Sequence, residues 1–247
     1  MRPWPTTPAQ RLATTLLLCP ISTAALQQPQ SAASPTVASY SILARDELTG
    51  EYGVAAASHA PLIGVNLEFL DPKTGGVVIL GGPNIEANQK VLLALQDGLP
   101  PDRAIAVGLY GDEGREERQV LAISPRGAAA FSGDRLAGHA GHLTGEHFVA
   151  AGHRLAEEEV LQAMEKSFLE TDAPLRDRLL LALEAGRDAG GEKDGAHSAA
   201  LLVVGPGASF ATRDRLVDLR IDFVPGDAVA ALVNLRARID SVYGVVK

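Results

Sequence analysis

Strand-forming runs arrive in adjacent pairs along this chain, and that order is what most limits its fold. "SYSILA" and "YGVAAAS" flank a turn at Glu47–Glu51. "LIGVNLEFL" and "GGVVILGG" read as a second strand pair around "DPKTGG". "ERQVLAIS" and "GAAAFSG" read as a hairpin around "PRG". "GHLTGEHFVAAGHRL" reads as a loop and one strand, and "HSAALLVV" and "RLVDLRIDF" as two more strands. Strands joined by a short turn run antiparallel, because a parallel return needs a crossover of a dozen or more residues. Strictly alternating strand–helix–strand units are absent from the pattern, so the sheets are expected to be largely antiparallel.

Helices fall between the strand groups. "NIEANQKVLLALQDGL" has Asn84 as N-cap and Gly98 as its stop, and "PDRAIAVGLYGDE" also reads as helical. Val160, Met164 and Phe168 recur at spacing four, as do Leu175, Leu179 and Leu183 after Pro174. These two helices are expected to pair antiparallel, with Gly190-Gly191 ending the second. "GDAVAALVNLRARIDSVYG" closes the chain as a helix. Sheets with helices laid on them make an α+β layered domain. The 46% apolar share supports a sizeable core.

The net charge of −8 argues against nucleic-acid or anionic-membrane partners, which need a basic face. Aromatics at 4% leave few platforms for stacking bases. Arg2 and Arg11 precede the apolar run "LATTLLLCPISTAA", with small residues at Thr23 and Ala25. That layout makes residues 1–25 a signal peptide and the protein an exported one, periplasmic or extracellular, with no membrane contact once the signal is removed. A lipidated Cys19 is the competing reading, although Leu18 is a poor residue before it. Residues 26–38, "LQQPQSAASPTVA", read as a tether or propeptide, and 39–247 as one domain. Removing the signal removes the one cysteine and thiol chemistry with it.

"SYSILARDELTGEYGVAAAS", "GHLTGEHFVAAG" followed by "VLQAMEKSF", "SAALLVV" and "DLRID" together resemble the bacterial DUF1028 family, a family of unknown function with an Ntn-hydrolase-like fold. The resemblance runs from about Ser39 to Leu235. It implies a four-layer αββα sandwich: two stacked, mostly antiparallel sheets between two helical layers. It also implies a chemistry. In Ntn hydrolases the first residue of the mature chain attacks an amide carbonyl, and its own α-amine, of pKa ~8, serves as base. Ser39 matches the position where relatives usually carry Thr. With residues still attached ahead of it, Ser39 has an amide nitrogen, which is not basic. A cut after Ala38 is therefore required, or Ser39 is a plain strand residue.

Strand periodicity adds detail. Ser39, Ser41, Leu43 and Arg45 share one face, opposite Tyr40, Ile42 and Ala44. Ser41 and Arg45 are thus candidates to line a site with Ser39, Arg45 either holding a substrate carboxylate or pairing with Asp46 or Glu47. Asp222 ends the "VDLRID" face of Asp218 and Arg220, either a solvated row or a polar lining for substrate. His142 lies in the family's Gly-His pattern and is a further candidate; His153 stands where relatives tend to have Asn. Four of the six histidines fall within 139–153, at spacings of three, five and six, a far weaker metal signal than HExxH. His197 and Ser198 point to opposite faces of a strand and cannot act as a pair. No cofactor or metal is called for. The expected ligand is a small or peptide-like amide in an enzyme, or an unspecified ligand or partner in a catalytically silent binding domain. Base rates suggest a homodimer as the assembly.

Overall fold

The structure, a computed structural model, describes residues 38–82, 84–206 and 215–243. The signal segment and nearly all of the tether lie outside these residues. In chain order the strands are β1 (Ser39–Arg45), β2 (Tyr52–Ser58), β3 (Leu70–Asp71) and β4 (Gly75–Leu80). After helices α1 (Ile85–Gln96) and α2 (Pro101–Gly108) come β5 (Gln119–Ser124), β6 (Gly127–Ser132), β7 (His139–Thr144) and β8 (Phe148–Leu155). Helices α3 (Glu159–Glu170) and α4 (Leu175–Asp188) follow, then β9 (Ser198–Val204), β10 (Arg215–Ile221) and α5 (Ala228–Tyr243). The strands form a six-stranded sheet, β10-β9-β2-β1-β8-β7, and a four-stranded sheet, β3-β4-β5-β6. Every neighbouring pair is antiparallel.

Three apolar cores separate four layers. One lies between α3, α4, α5 and the six-stranded sheet, and a second lies between α1, α2 and the four-stranded sheet. The third, with Leu43, Val54, Val78, Leu121 and Val149, lies between the sheets. This is the expected αββα sandwich. Strand β1 takes the expected face split: Tyr40, Ile42 and Ala44 enter the helix-side core and Leu43 the inter-sheet core. Its turn forms because Asp46 Oδ1 accepts the N–H groups of Leu48 (2.9 Å) and Thr49 (3.1 Å), and Gly50 takes φ 73°. Far from being an edge, β1 is flanked on both sides, by β2 and β8.

Phe168 anchors the helix-side core. Its ring meets Phe148 at 5.4 Å, and the Arg178 guanidinium lies 4.1 Å above it. Phe168→Ala is expected to cost about 3 kcal/mol in urea unfolding, from lost burial plus the cavity left behind.

Two expectations change. "LIGVNLEFL" is not a strand: Ile63–Leu67 is a 3-10 turn, and only Leu70–Asp71 pairs with β4. Alternation would bury Ile63, Val65 and Leu67 together, but Val65 is 50% exposed while Ile63 and Leu67 are buried. The spacing i, i+4 was the operative one. The segment before β8 is not a loop but strand β7. It lies on a sheet edge, so much of it faces solvent and shows no apolar alternation; pairing with β8 makes it a strand. Among the described residues no helix is long and apolar enough to cross a membrane.

Candidate functional site

The register of the large sheet lines up four polar residues from four strands. Ser39 lies opposite His153 on β8 and Ser58 on β2, and Ser58 lies opposite Ser198 on β9. One cross-strand step further in, Ala151, Ala56 and Ala200 belong to the inter-sheet core, so this row faces the other sheet. All four residues are buried. Their neighbours, not sequence proximity, bring them together.

The carbonyl of Ala38 is the focus of the row. The hydroxyls of Ser39 (2.6 Å) and Ser58 (2.9 Å) and the N–H of His59 (3.2 Å) all reach its oxygen. The two hydroxyls lie 2.9 Å apart, and Ser58 Oγ also accepts the N–H of Ala60 at 3.1 Å. Ser198 Oγ donates to Ala60 O (2.6 Å) and accepts the N–H of Ile63 (3.2 Å), which fixes the turn beside the row. That turn forms one wall of a cavity of about 250 Å³ that opens beside Ser39 and Ser58; Leu62, Val65, Asn66, Leu80 and Gly81 line much of the rest. No lining side chain carries a charge.

Gln119, from β5 of the facing sheet, stitches the layers together. Its amide nitrogen donates to Gly141 O (2.9 Å), Gly152 O (2.9 Å) and Ser132 Oγ (3.0 Å). Backbone carbonyls only accept, so this end is the NH₂ and the other end is the acceptor. His153 Nδ1, 3.1 Å from Gln119 Oε1, must therefore carry the proton, which makes Nε2 the basic nitrogen of the neutral ring. Gln119→Leu removes these bonds from a fully buried residue. We expect a loss of about 2 kcal/mol, read by denaturant unfolding.

The sequence candidates scatter along this frame. Ser39 is at its centre. Ser41 shares the face but is sealed in the core, and its Oγ has no hydrogen-bond partner among the described residues. Arg45 is six residues further along β1, about 20 Å away at ~3.3 Å per residue. There it pairs with Glu47 (3.6 Å) and lies over the Tyr52 ring, so it is not brought to Ser39. His142 faces the same inter-sheet layer opposite Ala151, its Nδ1 2.9 Å from Ser132 Oγ. It joins the row only through Ser132 and Gln119. Partial desolvation on the side facing the sheets holds its pKa below the usual imidazole value, although the residue as a whole is exposed at the sheet edge. Asp222 approaches through its backbone: its carbonyl accepts the N–H of Leu62, while its side chain is exposed. The histidine cluster disperses, with His139 near Glu158, His147 near Glu47 and His153 on Gln119. No three metal-ligating side chains converge among the described residues.

Sequence reasoning missed Ser58, Gln119 and Glu192. Glu192 follows the glycines after α4 and is 3% exposed. Burial raises its pKa to about 8, against the lowering effect of the nearby His59 N–H and of the Arg154 charge. Arg154 has φ 52°, and past this kink Leu155 pairs with Glu192 on one edge while His139 of β7 holds the other. Since β1 pairs with β8 only as far as His153, Glu192 stands in line with β1, just ahead of its first residue.

The sequence profile of a family of unknown function, DUF1028, matches residues 39–232. A crystal structure of a DUF1028 protein from Silicibacter pomeroyi is 33% identical, with a TM-score of 0.75 over 84% of this chain and 91% of that one. Two structures of Thiobacillus denitrificans BPH, one in complex with epoxomicin, are 15% and 16% identical, each with a TM-score of 0.37. They cover 67% and 69% of this chain and 98% and 100% of theirs. No curated protein matches the chain.

Proposed function

Because the chain belongs to the DUF1028 family, whose function is unknown, we propose from its own geometry that it is an exported amidohydrolase whose nucleophile is Ser39, freed by a cut after Ala38. The Ser58 hydroxyl and the His59 N–H converge on the Ala38 carbonyl oxygen with Ser39 Oγ close beside it, and this arrangement carries the reading. Donors gathered on a carbonyl oxygen stabilise the negative charge that develops there under attack. The Ala38 carbonyl occupies the position that a substrate carbonyl would take in the cut protein.

Ala38 is 0% exposed and Ser39 2%, which disfavours an external peptidase acting on the folded chain and supports a cut made from within. Ser39 Oγ adds to the Ala38 carbonyl carbon, the C–N bond breaks as an ester forms, and the hydroxyl proton ends on the released amine. Water then hydrolyses the ester. In turnover the same hydroxyl attacks the substrate amide. The α-amine takes the hydroxyl proton and passes it to the leaving amine, and water completes the cycle. The uncharged cavity beside Ser39 suits a small or peptide-like amide with an uncharged acyl group. Intact-mass analysis and N-terminal sequencing of the purified full chain test this. A start at Ser39 is expected, and a lasting bond to Ala38 refutes it.

One observation favours a second reading. In the uncut chain Ser39 is buried and its nitrogen is an amide, so the chain as it stands would be a binding domain that uses the same cavity. An uncut chain that nonetheless binds a small uncharged amide in that cavity is the outcome this reading requires.

A further inference from the structure

We infer that Glu192 is the positioning residue for the Ser39 α-amine: a buried carboxyl without a hydrogen-bond partner at the head of β1 in the uncut chain, which pairs with the new amine once the Ala38–Ser39 bond is cut. This rests on the reading of Ser39 given above. Glu192 stands at the head of β1, its backbone bridged to Leu155 and the preceding Gly191 packed beside the Tyr40 ring. Neither carboxyl oxygen has a hydrogen-bond partner among the described residues. The nearby His59 N–H is already committed to Ala38 O.

The surrounding charges do not supply a counter-ion. Arg154, on β8, pairs with Asp194 at 2.5 Å. Asp194, on the same loop as Glu192, repels its charged form. The His59 ring, at the end of β2, uses Nδ1 on Gly195 O at 3.1 Å. Tyr40 of β1 is itself pushed upward by burial and by Glu192. Arg187 of α4 is engaged by Asp188, Glu184 and Asp227. The residue whose backbone stands just ahead of β1 thus carries a buried carboxyl with no dedicated cation, and the first nitrogen of β1 is the one that the cut turns into an ammonium. Burial alone drives an amine toward its neutral form, and a neighbouring carboxylate holds its proton affinity up. By accepting one N–H, that carboxylate also fixes the direction of the lone pair that takes the Ser39 hydroxyl proton.

The test uses the purified full chain after its cut. The Ser39 amine is labelled by reductive methylation across pH, and the N-terminal peptide is read by mass. In Glu192→Gln the labelling midpoint is expected to fall by about 1–2 pH units, with Glu192→Asp restoring most of the shift. An unmoved midpoint overturns the assignment. If Glu192→Gln fails to fold or to be cut, the ¹³C signal of the Glu192 carboxyl decides. At pH 7 it should report an acid in the uncut Ser39→Ala chain and a carboxylate in the cut wild type. The same state in both overturns the assignment while leaving the Ser39 reading intact. A wild-type chain that keeps residues ahead of Ser39 overturns both.

Discussion

Ser39→Ala is expected to leave the full chain folded, uncut and inert. In the proposed reaction the hydroxyl attacks both the Ala38 carbonyl and the substrate, so its removal would end both steps. Removing a nucleophile that works as a unit with its base typically costs roughly 10⁴–10⁶-fold in rate. The structural cost is small by comparison. Ser39 Oγ takes part in two hydrogen bonds, to Ala38 O and to Ser58 Oγ, and Ser58 retains its bonds to Ala38 O and from Ala60 N. A loss of about 1 kcal/mol is expected. Intact mass reads the cut, and release of free amine from simple acyl amides reads the turnover. Ser39→Thr preserves the hydroxyl and should preserve the cut. A Ser39→Ala chain that still begins at residue 39 would show that another agent makes the break.

Stability in the uncut chain is expected to fall as pH rises from about 4.5 to 8, and Glu192→Gln is expected to remove that fall. Burial lifts the Glu192 pKa from its ordinary 4.5 to about 8. Between these values the folded chain keeps a proton that the unfolded chain releases, so the folded state binds more protons and loses stability with each pH unit. The largest slope is about 1.4 kcal/mol per unit, which across the whole window amounts to roughly 4–5 kcal/mol. Glutamine matches the neutral acid in shape and does not titrate. Urea unfolding at pH 5, 6.5 and 8 in the Ser39→Ala background isolates the effect, since no ammonium forms there. Equal slopes with and without Glu192 would rule out a neutral buried carboxyl.

The layered fold was legible because its determinants are local. Tyr40, Ile42 and Ala44 alternate against Ser41 and Leu43, and Val160, Met164 and Phe168 repeat at spacing four; each pattern names a buried face without knowledge of the rest. Strand β7 was not legible, since an edge strand takes its order from a neighbour's backbone. Of the residues in the candidate site, the sequence singled out only Ser39, and there only through resemblance. Ser58 and Ser198 become its companions through the register of β1, β2 and β9, and no spacing within one segment encodes a register between three. Glu192 gave still less signal. A single acid after two glycines looks like any solvated turn, and its backbone partner is Leu155, just past the kink at Arg154, far earlier in the chain.

The Gln119 stitch has a mechanical corollary. One side chain from the smaller sheet holds Gly141, Gly152 and His153 of the larger, and a slip of one residue between the sheets, ~3.3 Å, would break all of these bonds together. The sandwich thus resists shear at the end where the recess lies. Under the proposed function, a guest molecule would find walls already set at their final separation, and discrimination would rest on fit rather than on closure around it.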